Sequence, residues 1–201
     1  MKTSDIAAVI LGLLMLSSTG CALVDMKLPL SYKPAGQPSL GHGAVEIAQP
    51  PDPQFKKNRE GLPIIGNVRN GYGMHTADVV AKDSISRWFA NSTAAQLSEA
   101  GYQTVVVDRL SPTCQRGIEI DIRRIMTDMD PGMFSIGGVS QIECVMTVTK
   151  NGEPVEQIRF ESMADDRGIV GGGGELEKGL EKAMQLWLAQ ATRYAAAAWK
   201  D

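Results

Sequence analysis

The sequence predicts an α+β fold, a two-layer sandwich with a mostly antiparallel sheet and two amphipathic helices packed on one face. Three observations predict it. Ile118, Ile120 and Ile122 alternate with Glu119, Asp121 and Arg123, so this strand has one buried and one solvated side. A longer alternating run follows and ends in "KNGE" (150–153), whose Asn-Gly pair accepts the positive φ angles of a two-residue hairpin. Two further segments repeat apolar residues at three- and four-residue spacing, giving the stripes needed to cover the buried sheet face.

The elements follow in chain order. "GAVEIAQ" sets Val45 and Ile47 on one side and Glu46 on the other, a short half-buried strand. "QPPDPQFKKNREGLP" (49–63) is a proline-rich loop, "IIGNV" (64–68) a strand, and "RNGYGM" a turn. Asp83 or Ser84 caps a helix whose stripe is Ile85, Trp88, Phe89, Ser92 and Gln96 or Leu97. Gly101 stops that helix in left-handed geometry. "YQTVVVD" (102–108) is a strand by its β-branched run, and "LSPTCQRG" is a loop. After the 118–123 strand, "DMDPGMF" turns the chain. Residues 134–149 then form a long strand with Phe134, Ile136, Ile142, Cys144, Met146 and Val148 on one side. Its hairpin partner runs from Val155 to about Ser162. "DDRGIVGGGG" connects to a last helix, roughly Glu175 to Trp199, striped by Leu176, Leu180, Ala183, Met184, Trp187, Ala191, Tyr194 and Ala198.

The 201 residues suit a leader and one domain. Apolar residues make up 43%, enough for a core, and aromatics only 5%, so that core is expected to be largely aliphatic with Met as filler. A net charge of −3 is too mild to indicate a partner, and the absence of a basic patch with interleaved aromatics argues against nucleic acid.

Ile6 to Leu16 is an unbroken apolar run of eleven residues, which at ~1.5 Å per residue is too short to cross a ~30 Å hydrocarbon core. It has the length of a signal-peptide core, and Lys2 supplies a minimal positive start. Ser17, Ser18, Thr19 and Gly20 follow, and then Cys21. "SSTGC" resembles the lipobox of bacterial lipoproteins, which implies acylation of Cys21 as the mature N-terminus. The resemblance departs at Ser18, where Leu is common. Ala22 stands where Asp would signal inner-membrane retention, so the outer membrane is the implied address. The expected organisation is a leader over 1–20, a lipidated N-terminus and tether over 21–43, and a single periplasmic domain over 44–201. Pro29, Pro34 and Pro38 favour the extended tether; the alternative is that "MKLPLSY" packs on the domain as an edge segment.

Few residues invite chemistry. The two histidines, His42 and His75, sit in no metal-binding or nucleophile motif, no GxSxG occurs, and "GGGG" (171–174) lacks the Lys-Ser/Thr of a phosphate loop. No catalytic set, metal or cofactor is expected. With Cys21 acylated, Cys114 and Cys144 remain, the number one disulfide needs; the alternative is a buried Cys144 with Cys114 unpaired. The loop "NVRNGYGMHT" (67–76) offers Arg69, Asn70, Tyr72 and His75 for hydrogen bonding and stacking on a glycine-hinged turn, as a recognition loop or a purely structural turn.

The lipobox, "PIIGNVRNGYGMHTADVV", the "WF…L…AGY" helix, the charged-alternating meander and the terminal helix together resemble YajG-type bacterial lipoproteins. That resemblance implies an outer-membrane lipoprotein without an established activity. The order of elements also looks like that of lipoproteins serving lipopolysaccharide assembly or ABC transporters, a likeness at fold level only. The expectation is a non-enzymatic periplasmic lipoprotein, membrane-bound through its lipid, that binds or supports an envelope protein or lipid. The alternative is a lipid- or glycan-handling accessory of an envelope transporter, using a groove between helices and sheet.

Overall fold

A computed structural model describes residues 24–36, 38–70, 72–131, 136–168 and 173–200. The leader, Cys21, Phe134 and the "GGGG" run at 171–172 lie outside the described residues. The strands are β1 (Met26–Leu28), β2 (Ala44–Ala48), β3 (Ile64–Arg69), β4 (His75–Ala81), β5 (Gln103–Val107), β6 (Arg116–Pro131), β7 (Ile136–Lys150) and β8 (Glu153–Gly168). The helices are α1 (Ile85–Glu99) and α2 (Gly173–Ala198). The fold is α+β, as the periodicities predict. It holds a five-stranded sheet in the order β5-β2-β6-β7-β8 and a separate three-stranded sheet in the order β1-β4-β3.

The large sheet is antiparallel through β6, β7 and β8, whereas β2 runs parallel to both β5 and β6. Ile118, Ile120 and Ile122 are buried as their alternation demands. At Ile122/Arg124 the ladder takes an extra residue, and beyond this bulge the buried set changes parity to Ile125, Thr127 and Met129. β6 therefore continues to Pro131 instead of turning at Asp128. Asn151 and Gly152, at φ 53° and 79°, close the β7–β8 hairpin as a two-residue turn with positive φ requires.

Ser84 caps α1, its hydroxyl accepting from the Arg87 N–H at 3.3 Å. Gly101, at φ 100°, ends the helix with the Tyr102 N–H donating to the Leu97 carbonyl at 3.1 Å. The rings of Trp88 and Phe89 on α1 and Trp187 on α2 meet edge to face, 5.3 and 5.5 Å apart, and join the two helices over the sheet. Ile47, Ile118, Ile142, Met146, Leu176, Leu180 and Met184 fill the layer between.

The small sheet was only partly foreseen. β4 has no polar alternation because Ala77, Val79, Val80 and Ala81 are all buried. The sheet rests on the long hairpin where Gly66 meets Thr127; a Cβ at Gly66 would lie 1.8 Å from the Thr127 carbonyl oxygen, so only glycine permits this approach.

The first part of the expected tether is folded, so the edge-segment alternative holds. β1 pairs in parallel with β4, and Leu28 is 1% exposed. The chain then crosses both helices. Leu30 N–H donates to Asp83 at 3.0 Å, Trp88 Nε1 to the Ser31 carbonyl at 3.0 Å, and Lys33 N–H to Glu181 at 2.8 Å. Gln96 accepts from the Tyr32 hydroxyl and donates to the Ala35 carbonyl, and Gln185 donates to the Lys33 carbonyl. The polar residues in the α1 stripe thus explain themselves, since Ser92 and Gln96 are buried beneath this arm. Prolines restrict helix and central strand, not packing, and here they leave short edge pairing intact. Leu28→Ala is expected to destabilise the protein by about 3 kcal/mol, read as a lowered urea midpoint with unchanged slope; a loose tether would give no shift.

Candidate functional site

The expected recognition residues come together on the β3–β4 hairpin. Asn70 builds its tip. The Asn70 side-chain oxygen accepts from the Tyr72 and Met74 N–H groups, each at 3.0 Å, and the Asn70 carbonyl accepts from Gly73 N–H at 2.8 Å. Gly73 sits at φ 78°, the conformation such a turn asks of glycine. Arg69 approaches Asp128 of β6 at 3.5 Å, and the backbone and side chain of Asn67 both donate to the same carboxylate, at 2.9 and 3.1 Å. His75 Nε2 lies 3.0 Å from Asp78.

Asn70 is turned inward on the backbone, Arg69 and His75 are exposed but engaged by carboxylates, and Tyr72 stands furthest out, 90% exposed. Met74 joins it at 59% exposed; the sequence reading passed over this residue, although its place beside Tyr72 on a glycine turn was visible. The tip is therefore a braced, outward-facing amphipathic surface. Among the described residues no hydroxyl or thiol side chain is hydrogen-bonded to His75, so the His75–Asp78 pair is not arranged to activate a nucleophile.

Asp25, just before β1, belongs to the same end. Its carboxylate accepts from Asn58 Nδ2 at 2.9 Å and from the Asp78 N–H at 3.2 Å. The Asn58 hydrogen bond, followed by that backbone bond, holds the carboxyl below its usual range.

Cys114 and Cys144 are both free and buried, which corrects the disulfide alternative. Cys144 lies opposite Ile122, while Cys114 precedes Arg116 at the start of β6. Six residues of strand from Arg116 to Ile122 span about 20 Å, far beyond the ~7 Å a disulfide allows between Cα atoms. Burial pushes both thiols above their ordinary range, Cys144 the further.

Among the described residues, Phe89, Leu97, Met146, Leu180, Met184 and Trp187 fill the helix–sheet interface. A surface hollow of about 410 Å³ lies between the arm and α1, walled by Leu30, Tyr32, Arg87, Trp88 and Asn91. Another of about 320 Å³ lies between Phe55, Leu62, Pro63 and Ile85. Among the described residues no helix is long and apolar enough to cross a membrane, and no group of three or more metal-ligating side chains forms.

No family model matches the chain, and no curated protein matches it. Solved structures do. Protein XCC0632 from Xanthomonas campestris, of the family DUF330, is 13% identical over 86% of this chain and 96% of its own, with a TM-score of 0.55. The hypothetical protein CT253 from Chlamydia trachomatis is 9% identical over 78% of this chain and 99% of its own, at 0.46. Lipoprotein GNA1162 from Neisseria meningitidis is 12% identical over 76% and 98%, at 0.35. The first of these likenesses is one of fold; the likeness to YajG-type lipoproteins rests on the quoted motifs alone.

Removing the Asn70 oxygen leaves two tip amides without an acceptor. Asn70→Ala is expected to cost about 1 kcal/mol and to speed hydrogen exchange at the Tyr72 and Met74 amides several-fold, with exchange in β7 unchanged.

Proposed function

We propose that this protein is a lipid-anchored lipoprotein of the bacterial outer membrane, facing the periplasm, with a non-enzymatic role in binding or supporting an envelope component. The observation that carries the reading is the Gly20–Cys21 step after an eleven-residue apolar run, the arrangement of a lipoprotein cleavage and acylation site. Ala22, where Asp would signal inner-membrane retention, supports the outer membrane. Permanent anchoring needs more than one acyl chain, and a fully acylated Cys supplies them.

The packed arm changes what the anchor does. With the fold beginning at Met26, the stretch from Cys21 to Met26 is five residues, at most about 18 Å of fully extended chain. The whole 21–43 segment, had it been a free tether, would have allowed ~60 Å or more. The domain is thus held close to the lipid surface. The braced hairpin tip, with Tyr72 and Met74 outward, supports a binding role, and the engagement of His75 by Asp78 and of Arg69 by Asp128 supports a role without turnover.

The protein is expected to incorporate labelled palmitate in a bacterial host and to fractionate with the outer membrane. Cys21→Ala is expected to abolish the label. An unlabelled wild type, or a variant labelled as strongly as wild type, contradicts the anchor.

A further inference from the structure

We propose that the β3–β4 hairpin tip is a membrane-contacting element that seats Tyr72 and Met74, together with Val24, at the headgroup boundary of the bilayer carrying the Cys21 acyl chains. The inference rests on the lipoprotein reading and adds to it an orientation: this end of the domain faces the lipid.

The direction of the chain supplies the first argument. β1 is parallel to β4, with Met26 beside Val79 and Leu28 beside Ala81. Read backwards from Met26, the chain therefore runs toward the start of β4, where the hairpin tip lies. Asp25 continues that course, since its carboxylate takes the Asp78 N–H. Cys21 precedes Val24 by three residues, at most about 11 Å of extended chain. The attachment point and the tip consequently share one end of the molecule.

The side chains at that end supply the second argument. Val24, at the same end, is 74% exposed, like the outward Tyr72 and Met74 already described. Tyrosine suits a bilayer boundary because its ring is apolar and its hydroxyl remains wet. Three such side chains would bind a membrane weakly on their own. Tethered to it by an acylated Cys a few residues away, they meet the surface as an intramolecular event at high effective concentration, so they set orientation rather than affinity.

The carboxylates at this end are held by neighbouring side chains: Asp25 by Asn58, Asp78 by His75, and Asp128 by Arg69 and Asn67. The Asn70 bonds hold the tip in one shape, so docking it costs little conformational entropy.

The test uses the mature acylated protein in phosphatidylethanolamine–phosphatidylglycerol vesicles doped with a headgroup-quencher lipid. A fluorophore is placed at Met74→Cys and, in a second sample, at Glu156→Cys. Glu156 is exposed and pairs with Val148, itself opposite Ile118, ten residues along β6 from Asp128 and about 30 Å from the tip. Cys114 and Cys144 are buried, and the unsubstituted protein serves as the labelling blank. Quenching several-fold stronger at 74 than at 156 is expected. Equal quenching on protein whose Cys21 carries acyl chains by mass spectrometry overturns the orientation alone, and would leave the tip free for a protein partner. Absence of acyl chains on Cys21 overturns the lipoprotein reading and the orientation with it.

Discussion

Three residues of parallel pairing, Met26–Leu28 against Val79–Ala81, decide how the protein relates to whatever holds its N-terminus. Such a ladder is too short to persist by itself. It persists because Leu28 is driven into the core and because the following residues spend their backbone groups on both helices. The arm is therefore a seam across three elements: it edges the small sheet, crosses α1 at Trp88 and Gln96, and reaches α2 at Glu181 and Gln185. The half-buried Tyr32, its hydroxyl on Gln96, belongs to the same seam, and desolvation, with Glu181 nearby, pushes the phenol well above its ordinary range. Loosening the arm would expose Ser92, Gln96 and the edge of the Trp88–Phe89–Trp187 cluster together.

The rest of the architecture serves to hold the far end of this seam rigid. The bulge at Ile122/Arg124 lets β6 run on past the point where a regular strand would have exposed its isoleucines. That extension carries Thr127 and Asp128 beneath the small sheet. Gly66 admits the Thr127 backbone, and Asp128 collects Asn67 and Arg69. A hairpin that would be marginal alone is thereby fixed at its base by another sheet and at its tip by one asparagine. Tyr72 and Met74 are exposed on a rigid support, an arrangement suited to contact with another surface.

Much of this was legible in the residues. The isoleucine alternation, the Asn-Gly hairpin, the Ser84 cap and the Gly101 stop correspond to what the chain does, as does the α2 stripe apart from Tyr194, which is 45% exposed. The hairpin residues Arg69, Asn70, Tyr72 and His75 were found by composition, although their division of labour was not: only contacts reveal that Asn70 faces inward and that Asp128 claims Arg69. The misses share a cause, which is that tertiary packing overrode a local pattern. β4 is covered on both sides, so it lacks alternation. β6 changes parity at its bulge, so its second half reads as a turn. β1 hides among prolines, and its only trace was the polar half of the α1 stripe, which needed a polar backbone to cover it. The cysteine pair depended on strand register, which spacing alone does not disclose.

Residues 26–33 belong to the folded domain, and hydrogen exchange on the protein tests this most directly. The Leu30 and Lys33 amides, bonded to Asp83 and Glu181, and the β1 amides should be protected to a degree comparable with those of β4. Exchange at intrinsic rates across residues 26–33 while β4 stays protected would show a free tether, and would contradict the account.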